Sequence, residues 1–423
     1  MNVWLSTIGQ RLDHADNTRT MLLAEHLMKA GHEVTLWTSA YDHIRKVWRE
    51  EWVGSSGAPV RLESGLLVRF MKGCGYSTNV SVRRLVDHIL VARDFRRQAE
   101  SLPAPDIAVA SLPDHITAAA MVDFAQAKGF PAIIDVRDKW PDIFIDYAPP
   151  HLKPAVRLCL ATESARARKA LRRADSLVAM MNSMLDWGLS KAGRTKVACD
   201  KVFFLATTPK STEASTSMEA MPPNSRAIFE RTEGTIRFVF VGTFNRTQHP
   251  MLALEAFERL AARADFPSDK VSLLIGGDGI EADAVRVKIE SLPNAHHLGW
   301  LKPSEMQAIL TRCDIGLLPL NFSSPAFNNK AFAYLGCGLP ILNCALGDLT
   351  ELIEDCGIGI NVAAGKPDAM ADAIAELVAN PARIEVMKAN VDETFDALFD
   401  QLKIYSSYVA HIESIAKAGG RTV

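Results

Sequence analysis

Short apolar runs alternate with amphipathic stretches along almost the whole chain. Val3–Ile8 reads as a strand, Thr18–Ala30 as a helix stopped by Gly31, and Glu33–Thr38 as the next strand. Ile107–Ala110, Ala132–Asp135 and Ser176–Met180 follow, each beside a helical pattern. Near-continuous apolar strands separated by helices predict a parallel sheet covered on both faces. From Thr207 to Arg231 the pattern gives way to Ser, Thr, Pro, Glu and Met, with Pro209, Pro222 and Pro223, and reads as a long exposed connector. The alternation then restarts at Arg237–Gly242, with further strands at Val271–Ile275, His296–Leu298, Ile315–Leu318 and Pro340–Asn343.

The expected fold class is therefore α/β, with two doubly wound, Rossmann-like parallel-sheet domains facing a cleft. Their expected bounds are 1–206 and 207–400, with a linker near 207–232. Segment 401–423, helical over Gln401–Lys417, is expected to pack across the domains. A length of 423 residues agrees with more than one core.

Composition narrows the partners. A formal net charge of -2 gives no whole-chain signature for nucleic acid, so any basic function is local. The 7 cysteines are scattered without a Cys-x-x-Cys pair, which points to a reducing compartment and away from a zinc site. The N-terminus lacks the basic head of a signal peptide, and no apolar run reaches the ~18 residues of a membrane span. The expected location is cytoplasmic.

Candidate chemistry lies at strand ends. Glycines follow the second-domain strands at Gly242, in Gly276-Gly277-Asp278-Gly279 and at Leu298-Gly299-Trp300, where backbone can approach a ligand. Taken singly, each would be an ordinary strand-to-helix turn. The segment Asn328-Asn329-Lys330-Ala331-Phe332 places a cation at a helix start, whose free N–H groups already favour anions. A nucleotide diphosphate suits such a socket.

In order and spacing these motifs resemble the donor domain of a retaining GT-B glycosyltransferase of family 4. The resemblance continues through Cys313–Pro319, Gly338-Leu339-Pro340-Ile341, Gly347–Ile353 and Gly357–Ile360. In the first domain, Leu27–Leu36 and Asp135-Val136-Arg137-Asp138-Lys139-Trp140-Pro141 resemble the branch of that family serving bacterial surface polysaccharides. The resemblance implies a nucleoside diphosphate sugar donor, a glycan or polyprenyl-linked acceptor, and no metal or other cofactor. It also implies roles. Lys330 and Asn329 would bind the pyrophosphate, with Gly9, Gly242, Thr243, Arg246 and Gly277 lining it. Trp300 would mark the nucleobase end, and Glu351 would belong to the donor site. Asp138 would take or position the acceptor's proton. Arg137 would hold a phosphate or Asp138, or else form a structural ion pair with Asp138. Trp140-Pro141 reads as a packing element, and His14 and His43 as surface or hydrogen-bonding residues.

Four positions depart from the family pattern. Relatives carry two glutamates eight residues apart where this chain has Pro325 and Ala333. Loss of a bidentate hydrogen bond to a ribose diol costs on the order of 1–3 kcal/mol, a weakening rather than an abolition. The usual arginine after the strand-end glycine is Thr243, with Arg246 three residues on, and His249 stands near a helix start where relatives have a lysine. These departures motivate an alternative function, a GT-B protein without turnover that acts as a binding or scaffold partner in polysaccharide assembly. Finally, Lys153–Arg173 reads as one basic helix, with Arg157, Arg166, Arg168, Lys169, Arg172 and Arg173 against Glu163 alone among acids. Such a helix suits peripheral contact with the inner face of a membrane, though a solvated helix face has the same composition.

Overall fold

In a computed structural model, the chain divides into two compact units, Met1–Leu205 with Leu402–Val423, and Ala206–Gln401. The structure describes residues 1–10, 12, 18–79, 81–205, 217–245, 248–321 and 329–419.

The first unit is built on an eight-stranded sheet ordered Lys201–Val202, Ser176–Ala179, Ala132–Val136, Ile107–Ser111, Asn2–Ser6, Glu33–Ser39, Leu67–Met71, Val60–Arg61. Every neighbouring pair is parallel except the last. Ile107–Ser111 and Ala132–Val136 are buried throughout, as the apolar runs Ile107–Ala110 and Ala132–Ile134 require of strands covered on both faces. Trp4 and Trp37 from adjacent strands meet at 5.1 Å between ring centroids, and Phe95 closes on Trp37 at 5.0 Å. Leu67–Met71 has no counterpart in the sequence reading because Arg69 interrupts its apolar run. Val68, Phe70 and Met71 are buried there, while the Arg69 guanidinium lies over the Trp37 ring.

The C-terminal helix Gln401–Lys417 rests on this unit. Tyr405 stacks on His26 at 5.1 Å, Tyr408 on Phe203 at 4.4 Å, and His411 Nε2 meets Ser176 Oγ at 3.1 Å. The sequence placed this helix across the domains; these contacts make it part of the first. The basic segment 153–173 is two helices, Lys153–Cys159 and Ala161–Arg173, parted at Leu160.

The second unit carries a six-stranded parallel sheet ordered Ala295–Gly299, Val271–Gly279, Ile236–Phe244, Ile315–Leu318, Ile341–Asn343, Gly359–Asn361. Part of the expected connector belongs to it. Pro223–Arg231 is a helix begun by proline, with Ile228 and Phe229 buried. Its polar composition hid that apolar pair, and Arg237 locks it by lying over Phe229 and donating to its carbonyl at 2.9 Å.

Helix Asn329–Gly336 is anchored by Tyr334. The buried Tyr334 hydroxyl donates to the Leu317 carbonyl at 3.1 Å and accepts from Val241 N–H at 3.2 Å. Gly316 leaves room for the ring. Phe332 packs edge-on against Phe399 at 5.6 Å. These contacts fix the first turn of the helix, and with it Lys330, against the sheet.

Candidate active site

In the second sheet all strands run the same way, so Gly242, Gly277, Gly299 and Leu318 share its carboxyl edge. Gly242 has φ +151°, and a Cβ there would overlap Cε and Nζ of Lys330. Another residue would be strained at this φ and would displace the end of the lysine. Gly277, at φ +137°, lies so close that a Cβ would strike the Gly242 carbonyl.

Lys330 is half-buried, its Nζ donates to Gln248 Oε1, and it sits 5.2 Å from the Phe240 ring centroid. Burial brings the Lys330 ammonium down to about 8. Gln248 is itself held. Its N–H donates to Asn245 Oδ1 at 2.8 Å, and its backbone pairs with Leu320. The site is thus a cation on a neutral amide, under a glycine and at a helix start. That arrangement suits a phosphate.

The other second-unit candidates lie along the same edge. Thr243 is exposed, and Trp300 is 71% exposed directly after Gly299. Glu351 is exposed in the first turn of helix Asp348–Cys356, which follows the strand Ile341–Asn343. Arg246 and the Asn329 side chain lie outside the described residues, as do His14 and Pro325. His249 turns to Glu281, 3.2 Å away, so the residue that meets Lys330 is its neighbour Gln248. Sequence reasoning missed Gln248; its only signal was a polar residue between a strand-end glycine and the helix-starting Pro250.

At the carboxyl edge of the first sheet, Arg137 lies on the same side as Asp135. Its Nε and Nη2 reach Asp135 Oδ2 at 2.9 and 2.8 Å, and its Nη1 donates to Thr20 Oγ1 at 2.8 Å. Arg19 binds the same carboxylate at 2.9 and 3.3 Å, donates to the Phe203 carbonyl at 2.6 Å and lies over Tyr408. Burial opposes the Asp135 charge, yet Arg19 and Arg137 hold it below the usual carboxylate range. Of the roles left open for Arg137, the pairing with Asp138 is not formed; its carboxylate partner is Asp135. Residues two apart on a strand share a face, so Arg137 meets Asp135, while Asp138 points elsewhere.

Asp138 is half-buried and accepts from Lys139 N–H at 2.7 Å. Burial nonetheless raises it above the usual carboxylate range, which favours a proton acceptor. Gly9 lies under the His43 ring, where a Cβ would meet Cε1 at 2.9 Å. Trp140 packs on Phe144 at 4.8 Å beneath Arg84. Among the described residues, no group of three His, Cys, Asp or Glu side chains is placed to hold a metal ion, and no helix is long and apolar enough to cross a membrane.

Two doubly wound parallel-sheet units are the GT-B architecture, and family models for both units place the chain among the glycosyltransferases. The chain belongs to that class. Its first domain matches the glycosyl transferase 4-like domain over residues 17–194, and its second matches glycosyl transferases group 1 over residues 235–380. Comparison with curated protein sequences gives no match. Among solved structures the chain is similar to a sucrose-phosphate synthase from Thermosynechococcus elongatus, at 16% identity and TM-score 0.65, covering 99% of each chain. It is also similar to HepE from Anabaena in complex with UDP, at 13% identity and TM-score 0.63, covering 98% of this chain and 99% of that one. A third is WaaG, a glycosyltransferase involved in lipopolysaccharide biosynthesis, at 14% identity and TM-score 0.60, covering 97% and 99%. At such identities the likeness is one of fold.

Proposed function

We propose that the protein transfers a hexosyl or related sugar from a nucleoside diphosphate sugar to a hydroxyl of a glycan or lipid-linked acceptor. The transfer retains configuration at the anomeric carbon, requires no metal, and serves cell-surface polysaccharide synthesis at the cytoplasmic face of a membrane. The observation that carries this reading is the Lys330 ammonium, set under Gly242 and occupied by the Gln248 amide.

The diphosphate displaces that amide. As the bond from the anomeric carbon to the phosphate oxygen breaks, Lys330, Arg246, Asn329 and the N–H groups near Gly9, Gly242, Thr243 and Gly277 take up the charge. Groups fixed in advance act most strongly on charge that develops only in the transition state. The acceptor oxygen bonds to the anomeric carbon on the face the phosphate leaves. Its proton passes to that phosphate or to Asp138. Trp300 receives the nucleobase, and Glu351 completes the donor site. HepE, solved with UDP and with UDP-glucose, makes UDP-sugars the first donors to try.

Ala333 favours a second reading, a protein that binds the donor without efficient turnover and acts as a scaffold. Melting shifts with a panel of UDP-, GDP- and TDP-sugars test the donor site, and sugar release or transfer tests turnover. A shift that Lys330→Ala erases supports the donor reading. No shift with any nucleotide overturns it, and a shift without transfer to any lipid or glycan acceptor selects the scaffold.

A further inference from the structure

The cations of helix Ala161–Arg173 fall into two sets. Toward helix His115–Lys128, Arg166 pairs with Glu163 at 2.8 Å, and Lys169 and Arg173 pair with Asp123 at 3.5 and 2.5 Å. Asp123 also takes Arg96 at 3.3 Å. Each of these cations has a carboxylate partner within the fold, and Asp123, shared by Lys169 and Arg173, is an acid the sequence alone did not connect to the helix.

The other set is not. Arg168 and Arg172, with Arg157 from the preceding helix and Lys191, line two surface cavities of about 500 and 520 Å³ that share Asp142, Arg168 and Lys191. The floor is locked: Lys191 Nζ donates to both Asp142 oxygens, at 2.7 and 2.9 Å, and to Ser164 Oγ. Trp187 Nε1 donates to Asp142 at 3.2 Å. Asp142 is therefore satisfied, and Asp146 is the one other carboxylate on the lining. Arg157, Arg168 and Arg172 have no carboxylate partner among the described residues.

Arg168 and Arg172 stand one helical turn apart, where like charges repel. A bound anion removes that repulsion. Guanidinium forks match phosphate oxygens in pairs, and cavities of this size accept a small ligand. We propose that these joined cavities form a second phosphate site, within the first unit and independent of Lys330, for a diphosphate or a phosphate head group.

Inorganic pyrophosphate, titrated calorimetrically at low salt into the full chain carrying Lys330→Ala, tests the site apart from the nucleotide reading. Adding Arg168→Gln with Arg172→Gln should weaken binding at least tenfold, whereas Arg96→Gln with Lys169→Gln should change it less than twofold. Equal losses with both pairs, or no loss with either, overturn the proposal. All four side chains are on the surface, so melting temperatures should hold. Should the first pair fail to fold, Arg157→Gln, on a separate helix, must weaken binding by itself. Vesicles containing phosphatidylglycerol then identify the source of the phosphate. Sedimentation that pyrophosphate competes away, and that Arg168→Gln with Arg172→Gln abolishes, assigns the site to a lipid head group. Pyrophosphate binding without sedimentation assigns it to a soluble ligand. Sedimentation lost with Arg96→Gln and Lys169→Gln but kept in the other pair overturns the proposal.

Discussion

Each unit sets a sheltered cation near the carboxyl edge of a parallel sheet, and the two are treated in opposite ways. Arg19 is buried and grips Asp135 through two nitrogens, with Arg137 on the same carboxylate and a backbone carbonyl taking a further proton. Burial works against the Arg19 charge, but Asp135 more than restores it. Lys330, by contrast, rests on an amide oxygen and an aromatic face, and burial carries it down to about 8. A buried cation with its own carboxylate is a strut. Lys330 meets a neutral amide instead, and on the function proposed above that contact is the one a phosphate would replace.

Substitution at the strut should have the greatest consequence. Asp135→Asn leaves Arg19 and Arg137 without their counter-charge and should destabilise the fold by about 3–5 kcal/mol, read by denaturant unfolding. Because Asp135 is held below its usual 3.8, the pairing contributes fully above that pH and fades as the pH falls below it. Gly242→Ala should cost the second unit's nucleotide affinity about 1–3 kcal/mol, because the new Cβ takes the space of the Lys330 ammonium. Titration with UDP by calorimetry checks it; unchanged affinity would detach the glycine from the lysine. The smallest effect is that of pH. Lys330 is charged below about 8, so above the ~6 at which the terminal phosphate of UDP ionises, affinity should hold until about pH 8 and then fall, by up to about tenfold, or ~1.4 kcal/mol, per pH unit. Lys330→Arg should flatten the fall.

Much of this contrast was hidden in the sequence. The buried strands were legible because parallel strands covered on both faces leave unbroken apolar runs, as at Ile107–Ser111. Leu67–Met71 was not, since Arg69 spoils the run although it stays half-buried with its guanidinium over the Trp37 ring. Lys330 could be singled out because a helix start has a local signature. Gln248 could not, since it meets Lys330 from 82 residues away. Likewise Asp123 neutralises part of the basic helix from a different helix, across 50 residues in the case of Arg173. Pairing between distant segments is set by packing, and a linear pattern carries no record of it.

On the proposed function Lys330 is kept for an anion rather than for the fold, and Lys330→Met separates the two roles. Melting temperature, measured at pH 7 with and without UDP, reads both quantities at once. Removing a charge that burial disfavours should raise the stability of the ligand-free protein by about 1–3 kcal/mol while the UDP-induced shift disappears. A variant that melts lower than the wild type and still gains the full shift with UDP would make Lys330 a structural residue.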